Sequence, residues 1–292
     1  GGATVRARAV VVATNSPVND RVVIHTKQAA YRTYVIGARI PRGSVPRLLL
    51  WDTASPYHYV RLHPLGGAQD MLIVGGEDHK TGQADDMEKR YRRLEKWTRE
   101  RFRQAGRVEF RWSGQVMEPV DGLAFIGPNP ADKGSIFIAT GFSGTGMTYG
   151  MISGLLLADL VAGRKNEWAE LFESKRLPSR ASAPRLVKEN ALVGLRFVAD
   201  RLARSGRASA EGLANGEGAL VRMGGRQRAV YRDEAGTLHV LSPVCQHLWC
   251  IVAWNPAERT WDCPCHGSRY TGEGRVIQGP TVKDLKRIEE ER

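Results

Sequence analysis

The sequence predicts an α+β protein with more than one domain, on the basis of three observations. Residues 31–75 hold short apolar runs separated by Pro and Gly, a pattern typical of β-strands. The charged segment at 85–104 repeats its apolar residues at helical spacing, which predicts an amphipathic surface helix. Beyond residue 212, short strand-like runs are again separated by glycine or acidic turns, and this spacing predicts a small all-β module.

The first half of the chain alternates strands with one charged helix. Residues 5–14 (VRARAVVVAT) predict a strand that ends in the turn TNSP. After the β-rich region and the charged helix, VEFRWSG returns to strand, and SIFIAT at 135–140 is a short buried strand. The glycine-rich run GFSGTGMTYG at 141–150 then leads into a helix. Such an arrangement can present backbone N–H groups and a helix dipole to an electron-rich cofactor, although a simple tight turn gives the same pattern.

The character of the chain changes between residues 174 and 213. This stretch contains two prolines, many arginines and one helical patch around Leu192, Leu195, Val198 and Leu202. We interpret it as a linker with a docking helix, which marks a domain boundary.

Composition excludes some classes of function. With 42% hydrophobic and 25% charged residues the chain is globular, and its longest apolar run, 151–163, is too short to span a bilayer and contains Asp159. We therefore expect no membrane span. The net charge of +12 is dispersed and interrupted by acidic residues, which favours a solvated basic surface over nucleic-acid binding. The same charge would suit an acidic redox partner.

All four cysteines lie within 21 residues of one another, and two histidines lie beside them. The spacing is C-x-H, fifteen residues, then C-x-x-H, so each half offers one thiolate and one imidazole. Zinc accepts two ligands of each kind, but familiar Cys₂His₂ fingers keep the cysteines in one half and the histidines in the other. A two-iron cluster with thiolates on one iron and imidazoles on the other needs one of each from two facing loops. The mixed halves favour the cluster, with zinc or unrelated core residues as alternatives.

The runs CQHLWC (245–250) and CPCHGSRY (263–270) resemble a Rieske [2Fe-2S] domain of the type with a disulfide between its cluster loops. The resemblance implies that Cys245 and Cys263 bind one iron and that His247 and His266 bind the other. It also implies the disulfide Cys250–Cys265.

The resemblance extends to residues that tune the cluster. Ser268 matches a serine that hydrogen-bonds a bridging sulfide, and Tyr270 matches a tyrosine that hydrogen-bonds a ligand sulfur. Gly279-Pro280 matches the start of a proline loop that covers the cluster. Two residues depart from the pattern, because Gln246 and Trp249 stand where the family usually has Thr and Gly. We expect Trp249 to distort the first loop or to cover the edge of the cluster.

The larger part of the chain carries a second resemblance. The runs RARAVVVATNSP, WSGQVMEPVDGLAFIGP, SIFIATGFSGTGMTYG and LLLADLVAG are together similar to the C-terminal part of FAD-dependent oxidoreductases of the glycine/D-amino acid oxidase and dehydrogenase family. This implies a partial FAD-binding α/β part with a β-rich substrate domain. The residues that it places near the cofactor are Thr14, Asn15, Gly141, Gly144, Gly146, Met147 and Thr148.

One family motif is absent from the sequence. The nucleotide-binding G-x-G-x-x-G lies at the N-terminus in this family, whereas this chain starts without Met and enters at once on a strand. We therefore expect an N-terminal part of the natural protein to precede the sequence.

Together the resemblances divide the chain into three parts: residues 1–174 as the C-terminal part of a FAD-dependent oxidoreductase domain, 175–212 as the linker with its docking helix, and 213–292 as the Rieske domain. They imply an oxidoreductase that uses FAD to oxidise an amine or amino acid. Electrons would then pass singly through the cluster, across an exposed edge of His247 or His266, to a redox partner protein or carrier. Bacterial fusions of this type are similar, so we expect a cytoplasmic location.

Two rival functions are alternatives to this one. The first is a non-enzymatic electron-transfer or redox-sensing Rieske protein on a flavoprotein-like scaffold. The second is a Rieske oxygenase, which the sequence disfavours because oxygenases lack the inter-loop disulfide pair and need a mononuclear iron triad.

The residues that would contact substrate are less specific. Strand alternation in PYHYVRLHP places Tyr59, Arg61 and His63 on one face, and Arg61 is a candidate to hold a substrate carboxylate, against the alternative of a surface or salt-bridged arginine. His79, in the polar run VGGEDHKTG, is expected to be a turn residue rather than a base. Trp51 and Asp52 are weak candidates of the same kind.

Overall fold

The computed structural model describes residues 3–19, 22–132, 134–202 and 209–288. Parts of the predicted domains, namely residues 1–2, 20–21, 133, 203–208 and 289–292, lie outside this set. The chain forms two compact units, one from residues 1–30 with 116–292 and the other from residues 31–115.

The strands and helices are β1 (Val10–Val12), β2 (Gln28–Pro41), β3 (Leu50–Trp51), β4 (Tyr59–Pro64), β5 (Gln69–Lys80), α1 (Met87–Arg101), β6 (Val108–Pro119), β7 (Phe125–Pro128), β8 (Ile136–Thr140), α2 (Gly146–Val161), α3 (Ala183–Leu202), β9 (Gly218–Met223), β10 (Arg226–Arg232), β11 (Leu238–Leu241), β12 (Ala253–Asn255), β13 (Thr260–Asp262), β14 (Arg269–Thr271) and β15 (Val276–Gln278).

The unit of residues 31–115 is a β-sheet with one helix. Its five strands lie in the order β3-β4-β5-β2-β6, and β4 and β2 both pair antiparallel with β5. The helix predicted at 85–104 is present as α1. It buries Met87, Tyr91 and Leu94, which recur every three or four residues and so form one apolar stripe.

In the other unit, the residues that belong to the predicted oxidoreductase domain (1–30 and 116–174) form the flavoprotein-like part. It has a small sheet in the order β1-β8-β7, with β1 parallel to β8. Its strand β1 is shorter than the predicted 5–14, because only Val10–Val12 pairs with β8. Helix α2 contributes Leu156 and Leu157 to a buried cluster with Phe137 of β8. Strand β8 and helix α2, on either side of the glycine-rich turn, therefore share one core.

The C-terminal part of the same unit is all β, as predicted. It has a three-stranded sheet in the order β11-β10-β9 and a four-stranded sheet in the order β12-β13-β14-β15, both antiparallel. The strands of the second sheet are three residues long and frame the two loops that carry the cysteines. These cysteines belong to the buried core of this part, together with Trp261 and Tyr270.

The helix predicted in the linker is α3, and the first residue of its predicted patch, Leu192, is half-buried. Leu195 and Val198 are 65% and 55% exposed, and the side chain of Leu202 lies outside the described set. Contact is made by Val193, which packs against the cysteine-containing core, and by Asn190, whose Nδ2 donates to Thr26 O at 2.9 Å.

In the part of the chain that the structure describes, no helix combines the length and the apolar character that a membrane crossing requires.

Candidate functional site

The two cysteine-bearing loops form a covalently linked pair. The first loop connects β11 to β12 and the second connects β13 to β14. Cys250 and Cys265 form a disulfide between them, with their Cα atoms 6.5 Å apart, as the Rieske resemblance implies. The other two cysteines, Cys245 and Cys263, are free thiols and are buried at 0% and 2% exposure. The disulfide therefore leaves one thiol in each loop for a metal.

Each loop is also closed by its own backbone. In the first, Cys245 N donates to Cys250 O at 2.8 Å and Trp249 N donates to Cys245 O at 3.1 Å. In the second, Cys263 N donates to Ser268 O at 2.8 Å. These bonds fix the position of the thiols before any ligand binds.

Trp249 occupies a backbone position that favours glycine. Its φ is +59°, in the left-handed region, which explains why glycine is usual at this position of the Rieske pattern. The loop keeps its hydrogen bonds despite the substitution, and the indole is 60% exposed. The tryptophan therefore leaves the loop closed, and its side chain points largely into solvent.

Hydrogen bonds surround the Cys245 thiol. The Tyr270 hydroxyl is fully buried and donates to Cys245 Sγ at 3.2 Å, while it accepts from Gln246 N at 3.1 Å. Ser268 is also fully buried, and its Oγ accepts from Thr281 N at 3.2 Å. Because that oxygen acts as the acceptor, its own proton is available to donate within the site.

The two free thiols are hydrogen-bonded to each other. The hydrogen bond from Cys263 lowers the pKa of Cys245 to about 6, against the effect of burial. The same bond, together with burial, raises the pKa of Cys263 well above its usual value. One thiolate therefore forms readily, whereas a second beside it needs a cation. A donor set of this kind fits an iron bound by both sulfurs.

The predicted imidazole ligands also lie together. The rings of His247 and His266 are edge-to-face with centroids 5.1 Å apart. Both are buried, at 7% and 8% exposure, so the exposed imidazole edge expected from the sequence is not present. A third ring, that of His25, packs against both, and nothing in the sequence indicated this residue.

The ligand atoms do not converge on a single ion. Among the described residues, the one group of three or more potential ligand atoms within 4.8 Å of one another is formed by Cys250, Cys263 and Cys265. Two of those sulfurs form the disulfide and cannot bind a metal. A tetrahedral zinc would bring its four ligands to about 3.5 Å from one another. The arrangement of two thiols and two imidazoles therefore fits a two-iron cluster better than zinc.

A buried charge network braces the second loop. Arg269, at the start of β14, donates to Asp262 Oδ1 at 2.9 Å and also pairs with Glu258. Asp262 additionally accepts hydrogen bonds from Asn255 and Thr260. Because Asp262 and Arg269 end and begin the strands on either side of the loop, the network holds both of its ends.

The residues predicted to lie near the flavin occupy the ends of β1 and β8. Thr140, the last residue of β8, donates through Oγ1 to Asn15 O and bonds Gln28 Nε2 at 3.2 Å. Gly141 has φ +76°, and a Cβ there would lie 2.6 Å from Pro119 Cγ. Glycine is therefore required at this turn by both conformation and space.

The helix that follows the turn presents an open N-terminus. Gly144, Gly146, Met147 and Thr148 are exposed, with Met147 at 92%. The Thr145 hydroxyl bonds Phe142 O at 3.0 Å and does not cap the helix. The first N–H groups of a helix have no acceptor within it, so they can meet an anionic or electron-rich ligand. This open, glycine-lined helix end fits the edge of a flavin.

In the unit of residues 31–115, β4 follows the predicted alternation, with Arg61 and His63 exposed and Val60 buried. The expectation for His79 was wrong. This residue lies within β5, where its Nε2 bonds the Tyr34 hydroxyl at 2.9 Å, and burial lowers its pKa to about 4. Asp52 bonds His58 Nδ1 at 2.8 Å, and the neighbouring Trp51 is 73% exposed.

Comparison with protein families gives two matches. The family model described as "FAD dependent oxidoreductase" matches residues 1–160, and that described as "Rieske [2Fe-2S] domain" matches residues 207–289. The first covers more than half of the chain.

Individual relatives are similar to all or to part of the chain. A Rieske 2Fe-2S iron-sulfur protein of Bacillus subtilis, YhfW, is 30% identical over 98% of this chain and 55% of its own length. The cytochrome b6-f complex iron-sulfur subunit 1 of a Nostoc species is 50% identical over 19% of this chain and 31% of its own. The glycine oxidase structure from Geobacillus kaustophilus is 22% identical, with a TM-score of 0.41, over 52% of this chain and 40% of its own. The chain thus spans about half the length of the first of these relatives.

Proposed function

The chain belongs to the FAD-dependent oxidoreductase family and carries a Rieske [2Fe-2S] domain, and we propose that the whole protein oxidises an amine or amino acid with FAD and passes the electrons singly through the cluster to a redox partner. The observation that supports this most is the presence, within one compact unit, of the glycine turn of the flavin type and the braced thiol–imidazole site. When bound, FAD supplies a hydride acceptor and the cluster supplies a one-electron carrier.

We assign the cluster ligands to two pairs. Cys245 and Cys263 would hold one iron, since both are buried free thiols and are hydrogen-bonded to each other. His247 and His266 would hold the other through their adjacent rings. The Tyr270 hydroxyl and the Ser268 hydroxyl would then donate to ligand or cluster sulfur, and such donors favour the reduced form.

On the flavin side, the chain's residues position the cofactor and hold it by backbone contacts. Thr140 ties the end of β8 to Asn15 at the end of β1, so that both strand ends face the cofactor together. Gly141 and Gly146 would allow close approach of the backbone, and the N–H groups at the start of α2 would be the donors to a bound flavin. Arg61, exposed on β4, is the proposed contact for a substrate carboxylate.

The product of the complete gene tests this proposal. We expect iron, acid-labile sulfide and flavin in the purified protein, a rhombic electron paramagnetic resonance (EPR) signal on reduction, and anaerobic bleaching of the flavin by a member of a panel of amines and amino acids. Cys263→Ser should abolish the EPR signal and leave flavin bleaching intact. His239→Ala is the control, because His239 lies in the same part of the chain, bonded to Asp233 at 2.9 Å.

Two results would contradict the proposal. Zinc in place of iron in the metal analysis would show that the site does not hold an iron-sulfur cluster. A flavin- and cluster-loaded protein that no amine or amino acid reduces would point to electron transfer or redox sensing without substrate oxidation.

A further inference from the structure

The imidazole pair of the cluster site is covered by a residue from the flavoprotein-like part of the chain. The His25 ring lies 5.0 Å from that of His247 and 5.9 Å from that of His266, at interplanar angles of 75° and 62°. His25 is itself buried, at 3% exposure. The three rings therefore pack edge to face, a favourable geometry for aromatic groups.

The segment that carries His25 is anchored at several points. His25 Nε2 donates to Pro17 O at 3.0 Å, since a carbonyl can only accept. The preceding residue, Ile24, is fully buried against Phe125 and Ile138. The following residue, Thr26, accepts the hydrogen bond from Asn190 of α3. His25 is thus held in place by contacts on both sides of it.

The same segment starts at the predicted flavin site. Thr14 Oγ1 donates to Ser16 O at 2.8 Å, and Thr140 donates to Asn15 O. Farther along, Val18 packs closely enough against the proline loop that a Cβ on Gly279 would lie 3.1 Å from its Cγ1. A continuous set of contacts therefore runs from the strand ends beside the flavin, through Pro17 and His25, to the rings of the proposed ligands.

From this connection we infer that His25 is a positioning residue. Its ring holds the imidazole pair in place for electron exchange between the flavin side and the cluster side of the chain. The inference rests on the proposed function. Each event would move one electron from reduced flavin to a ferric ion of the cluster, and over the two events the flavin would lose its ring N–H proton to water. A one-electron carrier protein re-oxidises the cluster before the second electron follows. Because both imidazole edges are buried beneath this segment, the carrier must approach from another side.

Three substitutions separate the ring from its hydrogen bond. His25→Phe keeps an aromatic ring and loses the donor to Pro17. His25→Gln keeps a donor and loses the ring, and His25→Ala removes both. The matched control is His239→Ala, which removes a histidine that stacks on the ring of Tyr231 at 5.9 Å.

The measurements are made on the product of the complete gene. The first is the rate of cluster reduction after flash reduction of the flavin, for which we expect His25→Ala to be about tenfold or more slower, since small displacements of reacting groups have effects of this size. His25→Phe should retain more of this rate than His25→Gln.

The second measurement is the midpoint potential of the cluster, which should rise in His25→Ala because admitted water stabilises the negative charge that reduction adds. The third is deuterium exchange near the cluster by pulsed EPR, which should increase.

Several outcomes would overturn the inference. Unchanged potential, deuterium access and transfer rate in His25→Ala with full cofactor content would leave His25 as a packing residue only. Equal changes in His239→Ala would show a general effect of substitution. If His25→Ala does not assemble its cluster, the comparison of His25→Phe with His25→Gln decides, and equal rates in the two would exclude a role for the ring. A protein without amine oxidation would defeat the proposed function, but the potential and deuterium measurements would still test His25.

Discussion

The cluster loops and the glycine-rich turn are both candidate cofactor sites, yet they are built in opposite ways. The four proposed cluster ligands are all at most 8% exposed, and their loops are closed by a disulfide and by local backbone bonds. The glycine turn is open, with Met147 at 92% exposure, and it is fixed by contacts to Asn15, Gln28 and Pro119 from distant parts of the chain. A site made within one short segment is preformed, whereas a site made from distant segments depends on how the whole unit folds.

The largest effect is expected from breaking the brace of the cluster loops. Arg269→Met leaves Asp262 and Glu258 without their buried cation, and the loss of one partner of such a network costs about 3–5 kcal/mol. We expect a lower free energy of unfolding in urea, measured by circular dichroism, and release of the cluster at lower denaturant concentration.

The matched control is Arg259→Met in the same part of the chain. Arg259 pairs with Glu234, but the two side chains are 52% and 63% exposed, so this loss should cost less than about 1 kcal/mol. Equal destabilisation by the two substitutions would show that the cluster loops do not depend on the buried network.

The features that could be predicted from the sequence are those made within one short segment, and the features that could not are made from distant segments. The spacing of the cysteines and histidines predicted the candidate metal site, because its proposed ligands lie in two short loops whose contacts are local. The ring of His25 packs on that of His247, 222 positions later, and no local pattern indicates a contact of that range. His79 was misassigned to a turn because the glycines before it suggested one, whereas β5 continues through Gly76, at φ +151°, as far as Lys80. The position of Trp249 was recognised as unusual, and its left-handed backbone supplies the reason.

A smaller effect is expected at the glycine turn. Gly141→Ala places a Cβ 2.6 Å from Pro119 Cγ at a backbone φ of +76°. Left-handed strain alone costs about 1–3 kcal/mol, and the contact with Pro119 adds to it. We expect lower thermal stability and lower flavin content at constant iron content. Gly122→Ala isolates the strain, because Gly122 has φ +79° and no atom within 4 Å of its added Cβ. If the two variants lose equal stability and flavin, the contact with Pro119 has no role in the turn.

The smallest change in stability, and the sharpest test of the open site, comes from Gly146 and Gly154 of α2. An added Cβ meets nothing within 4 Å at either position, so Ala should be tolerated at both. Gly154→Ala, inside the helix, should stabilise it by up to about 1 kcal/mol and leave flavin content unchanged. Gly146→Ala, at the helix start, should change stability by less but should lower the flavin content, because its methyl group would occupy the space into which the cofactor edge is proposed to fit. The ratio of flavin to protein absorbance measures both variants. Full flavin content in Gly146→Ala would mean that the open end of α2 does not face the cofactor. The flavin would then bind at another place in the chain, and the comparison of a buried with an open cofactor site would not hold for this turn.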